Sequence, residues 1–377
     1  MSLFTTAGCR SIIAQIDDTA KFIKDIAEDI AEDIAETKGL LTVSTFFAPK
    51  GYSSVLSNYE TQTAIGLLKR IFEDKLSAAL NLKRVSAPLF VEPGTGLNDD
   101  LNGVERPVEF DIPAAGTNAQ VVHSLAKWKR MALHKYGFSV GEGLYTDMNA
   151  IRRDEELDNI HSIYVDQWDW EIVIAKADRN EAFLRYAAAK IVGAICDTQD
   201  ALRARYPALK AKLRRAVSFV TAQELEDTYP ALTPKQRENE YIKAHKTGFI
   251  MKIGGPLKSG GRHDGRAPDY DDWTLNGDIL FWDELLSSAL EVSSMGIRVD
   301  AKTLEEQLAR AGCADRRELP FHKKLLSGGL PLTMGGGIGQ SRLCMLLLDK
   351  AHIGEVQASV WDNETLNAAA SAGIELL

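Results

Sequence analysis

The stretch Gly335-Gly336-Gly337-Ile338-Gly339-Gln340-Ser341-Arg342 holds the residues best suited to chemistry. Glycines let a backbone approach a ligand closely. The apolar run after them predicts a helix, and a helix N-terminus favours an anion. Arg342, about one turn in, can reach a phosphate or stack on a base. The same glycines also read as an ordinary tight turn. No Gly-Lys-Ser/Thr follows, which excludes a Walker loop. No βαβ unit continues from it, which argues against a dinucleotide fold. Cys9, Cys196, Cys313 and Cys344 are scattered without a CxxC pair, which argues against zinc and against a disulfide framework. Reduced thiols in a cytoplasmic protein are the expectation. With 44 Lys plus Arg against 53 Asp plus Glu, the net charge of −9 gives no footprint for nucleic acid. No apolar run approaches the roughly 18 residues of a membrane span. The first residues lack the basic-then-apolar pattern of a secretory signal.

The elements that must position this junction follow from periodicity. The chain has 377 residues, 45% of them apolar, enough for a large core. Residues 1–48 are expected to form an extension. Within it, Ile23, Ile26, Ile30 and Ile34 make one apolar stripe on an otherwise acidic helix. Residues 49–377 are expected to form a single catalytic domain, since no linker interrupts them. A helix is predicted over 59–81, a strand over 84–91, and then a Gly/Asn/Asp loop. Gln120–His123 reads as strand, with Ser124 opening a helix. Strands are predicted at 143–151 and 161–171, and a long helix over 176–205. Thr221 with Glu224 forms a capping box, and Thr233 before Pro234 caps another helix. Residues 277–299 read as two strands, and the chain ends strand, glycine turn, helix. Gln167 and Asp169 share strand parity and face one side; Trp168 and Trp170 face the other, toward the core.

The glycine-arginine pattern resembles the third signature of class II aminoacyl-tRNA synthetases. Their second signature is an arginine on a strand-loop-strand hairpin, and LYTDMNAIRRDEELDNIHSIYVDQWDWE places Arg152 at the start of such a loop. Three blocks carry the resemblance further: VVHSLAKWKR (121–130), HSIYVDQWDWE (161–171) and GRHDGRAPDYDDW (261–273). With ALEVSSMGIRVD (289–300) and GGGIGQSRL (335–343), they closely resemble the type A, ammonia-dependent asparagine synthetase family. The resemblance runs from about residue 58 to about 361.

It implies an α+β fold: a central, mostly antiparallel sheet flanked by helices, like the class II synthetase core. It implies activation of the β-carboxylate of L-aspartate by ATP, then attack of ammonia on β-aspartyl-AMP. By resemblance Arg152 matches the α-phosphate arginine and Arg342 the ATP-binding arginine, with Arg266, Ser162, Gly337 and Gly339 on the nucleotide side. Asp278 and Glu291 match carboxylates near the phosphates, a set that suits Mg²⁺. If their strands pair, both side chains meet on one face. Arg298 and Lys129 are natural partners for substrate carboxylates. Asp99, Gln167, Asp169, Asp271 and Ser294 match the aspartate and ammonia pocket, and Asp99 is a candidate proton acceptor. The neighbouring Asp100 leaves that assignment open by one residue. Ser124 reads equally as a ligand contact or a helix cap. His123, His161 and His263 have no zinc spacing and read as structural. The family's habit implies a homodimer, with neither nucleic acid nor membrane as partner.

Three rival functions would leave other marks on the sequence. A tRNA-charging synthetase would carry a basic tRNA-facing surface or an anticodon domain. A glutamine-dependent synthetase needs an amidase nucleophile, and Cys9 is the only early cysteine. A non-catalytic relative would be expected to lose the phosphate arginines or the carboxylate pair, and all are present.

Overall fold

The computed structural model describes residues 46–99 and 105–377. The predicted isoleucine-striped helix and Asp100 lie outside these residues, as does most of the proposed 1–48 extension. Helix α1 (Asn58–Leu80) starts at a capping box between Ser57 and Glu60, and it buries Ala64, Leu68, Phe72 and Leu76 at helical spacing. Strands β1 (Leu82–Arg84) and β2 (Phe90–Val91) follow, then β3 (Glu109–Ile112), β4 (Thr117–Val121) and α2 (Ala126–Tyr136). The hairpin comprises β5 (Gly143–Ile151) and β6 (Tyr164–Val173), and α3 (Glu181–Arg205) crosses behind it. Next come β7 (Ser218–Thr221), α4 (Ala222–Thr228), α5 (Pro234–His245) and β8 (Thr247–Met251). Long strands β9 (Asp271–Asp283) and β10 (Ser288–Arg298) lead to α6 (Ala301–Arg310), α7 (Pro320–Leu326), β11 (Thr333–Gly339), α8 (Gln340–Leu347) and α9 (Asn363–Ser371).

Among the described residues the main sheet has eight strands in the order β1-β5-β6-β11-β10-β9-β8-β7. Its six inner strands are antiparallel, and only the edge pairs β1·β5 and β7·β8 are parallel. The expected mixed fold with a mostly antiparallel sheet is therefore present. A smaller sheet runs β2-β4-β3. One face of the main sheet is apolar: Trp168 and Trp170 are fully buried in a cluster with Leu68, Phe72, Ile191 and Ile195 from α1 and α3. Strand parity then turns Gln167 and Asp169 to the opposite face, as the alternation predicts.

Several boundaries differ from expectation for local reasons. The expected strand 84–91 divides into β1 and β2, which belong to different sheets; Pro88 lies between them and has no N–H to give to a ladder. The expected strand 120–123 is β4, ending at Val121. The helix expected from 176 begins at Glu181, where Asn180 Oδ1 accepts from Phe183 N at 3.0 Å. Ser124 does not cap α2: its Oγ accepts from Ala126 N at 3.1 Å, and the cap position, Leu125, has no side-chain cap. The glycines 335–337 and 339 form no turn; they are strand β11 itself. The capping boxes at Thr221/Glu224 and Thr233/Gln236 are both formed.

Candidate active site

A cavity of about 420 Å³ opens on the polar face of the main sheet. Each cation in its wall is held by a different element. Arg152 is the first residue beyond β5, and its N donates to Ile163 O at 2.8 Å across the hairpin mouth. Its guanidinium lies 3.6 Å from Glu155, and its Nε is buried without a partner among the described residues. Arg342, in the first turn of α8, donates from Nε to Ile160 O at 3.3 Å and from Nη1 to Glu291 O at 3.2 Å. It therefore ties helix, hairpin loop and β10 together. Arg266 comes from the loop before β9 and pairs with Asp264 at 2.8 Å and with Asp278.

Asp278 and Glu291 do meet on one face, as expected. The register shift between Glu291 and Ser293 on β10 turns both Glu291 and Ser294 into the cavity, although three positions apart they would otherwise face opposite sides. Their electrostatics diverge. Burial, reinforced by Glu291, pushes the Asp278 carboxyl up to about 7 despite Arg266. Glu291 is buried too, yet Arg342, Arg266, Lys235 and Arg152 hold it below the ordinary carboxylate range. Asp278 Oδ2 faces Arg266, while Oδ1 is buried without a partner among the described residues. Among the described residues no cluster of three or more His, Cys, Asp or Glu could cage a metal. Two carboxylates with one vacant oxygen fit Mg²⁺, which completes its shell with phosphate and water.

Behind this wall lies a second polar layer. Lys129, Asp169, Asp271 and Arg298 are all buried, and none lines the cavity. Lys129 Nζ donates to Gly336 O at 3.0 Å and sits 3.4 Å from Asp169. Burial lowers the Lys129 pKa, with Asp169 resisting. Arg298 is gripped by Glu171, at 2.7 Å from Nη2 and 3.0 Å from Nε, and by Asp271. Burial opposes its charge, but the two carboxylates hold its pKa above the ordinary guanidinium value. Burial also outweighs Arg298 at Asp271 and raises that carboxyl. The glycines of β11 make room for this layer. A Cβ on Gly335 would collide with Glu171 and Arg298, and one on Gly337 with Gln167 and Asp169.

Of the residues singled out from sequence, the cavity brings together Arg152, Ser162, Gln167, Arg266, Glu291, Ser294, Gly337, Gly339 and Arg342. Asp278 stands directly behind Arg266. Asp99 is buried, and its backbone oxygen meets His123 Nδ1 at 2.9 Å. Neither Asp99 nor Ser124 lines the cavity. The Ser162 hydroxyl is engaged with Ser359 Oγ at 2.8 Å. His161 faces Asp158 at 2.8 Å, and buried His263 faces Glu238 at 3.0 Å. Sequence reasoning missed Glu171, the main partner of Arg298, although it shares the parity of Gln167 and Asp169. It also missed Lys235 and the Asp166–Ser341–Gln357 network beside Arg342, whose partners are far apart in sequence.

A model of the aspartate–ammonia ligase family matches residues 59–373. The chain belongs to the aspartate–ammonia ligase family. Within that family it is 59% identical over 332 residues to the enzyme of Clostridium perfringens, covering 88% of this chain and 99% of that one. It is also 59% identical over 331 residues to that of Lactobacillus acidophilus, covering 87% and 98%. This ligase chain shares its fold with an asparaginyl-tRNA synthetase from Pyrococcus horikoshii complexed with asparaginyl-adenylate (TM-score 0.59, 13% identity, 80% of this chain and 70% of that one). The same holds for one from Entamoeba histolytica in complex with asparaginyl-adenylate (TM-score 0.57, 12% identity, 80% and 66%). At such identities the likeness is one of fold alone. No described helix is long and apolar enough to cross a membrane.

Proposed function

We propose that this chain amidates L-aspartate with ammonia at the expense of ATP, giving L-asparagine, AMP and pyrophosphate through a β-aspartyl-adenylate. The observation that carries the reading is the meeting of Arg152, Arg266 and Arg342 in one cavity, in a chain of the aspartate–ammonia ligase family. We infer also that the sheet is a class II aminoacyl-tRNA synthetase-like catalytic core, supported by the antiparallel inner strands and the synthetase likeness.

In the first step an oxygen of the aspartate β-carboxylate attacks the α-phosphorus, and the bond to pyrophosphate breaks. Arg152 and Arg342 gather charge at the α-phosphate, and Arg266 lies on the pyrophosphate side. Donors already fixed by the fold need little reorganisation as charge moves. Asp278 and Glu291 would hold Mg²⁺, which would supply positive charge to offset that of the phosphates.

In the second step ammonia attacks the β-carbonyl carbon, the carbon–oxygen bond breaks and AMP departs. The nitrogen must shed a proton, and Asp99 is the proposed acceptor. Gln167 and Ser294 frame the amino acid from the cavity wall with Ser162 at its margin, while Asp169 and Asp271 back them from the buried layer and Ser124 stays outside the cavity. Arg298 carries five N–H donors, and three are engaged by Glu171 and Asp271. Two remain for a substrate carboxylate, as does one ammonium hydrogen of Lys129. The same reading carries a cytoplasmic homodimer, checked by mass in solution.

The test supplies aspartate, ATP and Mg²⁺ with either ammonium or glutamine. Asparagine and AMP formed with ammonium support the reading; ADP as product, or a requirement for tRNA, overturns it.

A further inference from the structure

Gln357 lines the cavity, yet no step above uses it. It follows α8 on the segment that returns beneath the hairpin loop, and it is 4% exposed. Its Nε2 donates to Ser341 Oγ at 3.0 Å and to Asp166 Oδ1 at 3.3 Å. Asp166 in turn accepts from Ser341 N at 3.0 Å and Ser341 Oγ at 2.9 Å. Turning the amide over would set its oxygen against the Asp166 carboxylate, so this network decides which end is which. The Oε1 is left buried with no partner among the described residues. A buried acceptor without a donor is unfavourable, and a ligand donor relieves it.

The surroundings indicate which part of a ligand comes here. Ser341 precedes Arg342, whose Nη1 reaches away to Glu291 O. The carboxylates and Arg266 lie at the head of Arg342, and Gln357 lies at its root. The same cavity wall carries Ile160, Tyr164, Val165 and Ile353; Gln357 N donates to Ile353 O at 3.0 Å, and Tyr164 and Val165 immediately precede Asp166, to which Gln357 is bonded. A nucleotide with its phosphates among the arginines places its flat, apolar base at this end, where a guanidinium can also stack.

We propose that Gln357 selects adenine, its Oε1 accepting a hydrogen bond from the exocyclic amine of the base. Guanine and hypoxanthine carry an oxygen in place of that amine and would set acceptor against acceptor. Sites built around one hydrogen bond discriminate strongly against analogues that cannot make it. The inference rests on the ATP-dependent reading above.

The experiment compares ATP with purine riboside triphosphate, which lacks only the amine. Pyrophosphate release is measured in the wild type and in Gln357→Met, with the melting temperature as a check on folding. The wild type should favour ATP by about tenfold in kcat/KM. Gln357→Met should lose about that factor with ATP, lose little with the analogue, and so bring the ratio close to one. A purely structural role would lower both nucleotides equally and keep the ratio, which would overturn the inference. So would a wild type that turns over ATP without favouring it. A wild type that turns over neither nucleotide would overturn the ligase reading itself and this inference with it.

Discussion

The two polar regions on this face of the sheet are built on opposite terms. In the inner layer Arg298 is shared between Glu171 and Asp271, and Lys129 between Asp169 and Gly336 O. In the outer wall and directly behind it, Arg152 Nε, Asp278 Oδ1, Ser293 Oγ and Gln357 Oε1 are all buried without partners among the described residues. The inner layer is matched by the chain itself and shapes the floor. The outer wall carries unmatched atoms that a ligand must satisfy. Hence a change in the inner layer should act on folding first, and one in the outer wall on chemistry first.

The largest expected effect is in the inner layer. Arg298→Met leaves Glu171 and Asp271 buried and unpaired, and breaking a buried pair costs about 3–5 kcal/mol. Denaturant unfolding checks this; a loss below about 1 kcal/mol would erase the distinction between the regions. Arg342→Ala is the mirror case. Adenylate formation, followed as pyrophosphate release, should fall by about 10²–10³-fold, with a smaller stability loss than that of Arg298→Met, since Arg342 also ties α8 to the hairpin loop and β10. Near wild-type activity would remove Arg342 from the nucleotide site.

The boundary between the layers is tested by Gly337→Ala, whose methyl would push into Gln167 and Asp169. Displacements of this kind cost up to about 10²-fold. The loss should raise the KM for aspartate more than the KM for ATP. The smallest effect is on pH. The raised Asp278 carboxyl takes up its proton as pH falls through about 7, and a protonated carboxyl is a poor ligand for Mg²⁺. Activity at limiting Mg²⁺ should therefore drop on the acid side, by about tenfold per unit at most. Excess Mg²⁺ should shift the limb to lower pH; a limb that stays put would assign it to another group.

The sequence showed much of this comparison, but unevenly. Alternation along β6 placed Gln167 and Asp169 away from Trp168 and Trp170, because parity is local and rigid. The Thr221/Glu224 capping box and the Thr233-Pro234 cap fixed the starts of α4 and α5 for the same reason. Pairing was harder to see: Glu171 and Arg298 lie 127 residues apart, and no local pattern announces such a partner. The glycines of β11 were legible as a place of close approach but misread as a turn. Glycine punctuates a chain in most contexts, whereas here it clears a strand for side chains arriving from β6 and β10. The bulge that aligns Glu291 with Ser294 likewise depends on the partner strand.

The most direct measurement follows oxygen. Aspartate labelled with ¹⁸O in its β-carboxylate is converted with unlabelled ATP and ammonium, and the phosphorus products are weighed by mass spectrometry. If the carboxylate attacks the α-phosphorus and ammonia then breaks the carbon–oxygen bond, AMP carries one ¹⁸O and pyrophosphate carries none. Label in pyrophosphate or orthophosphate, or AMP without label, would contradict the adenylate.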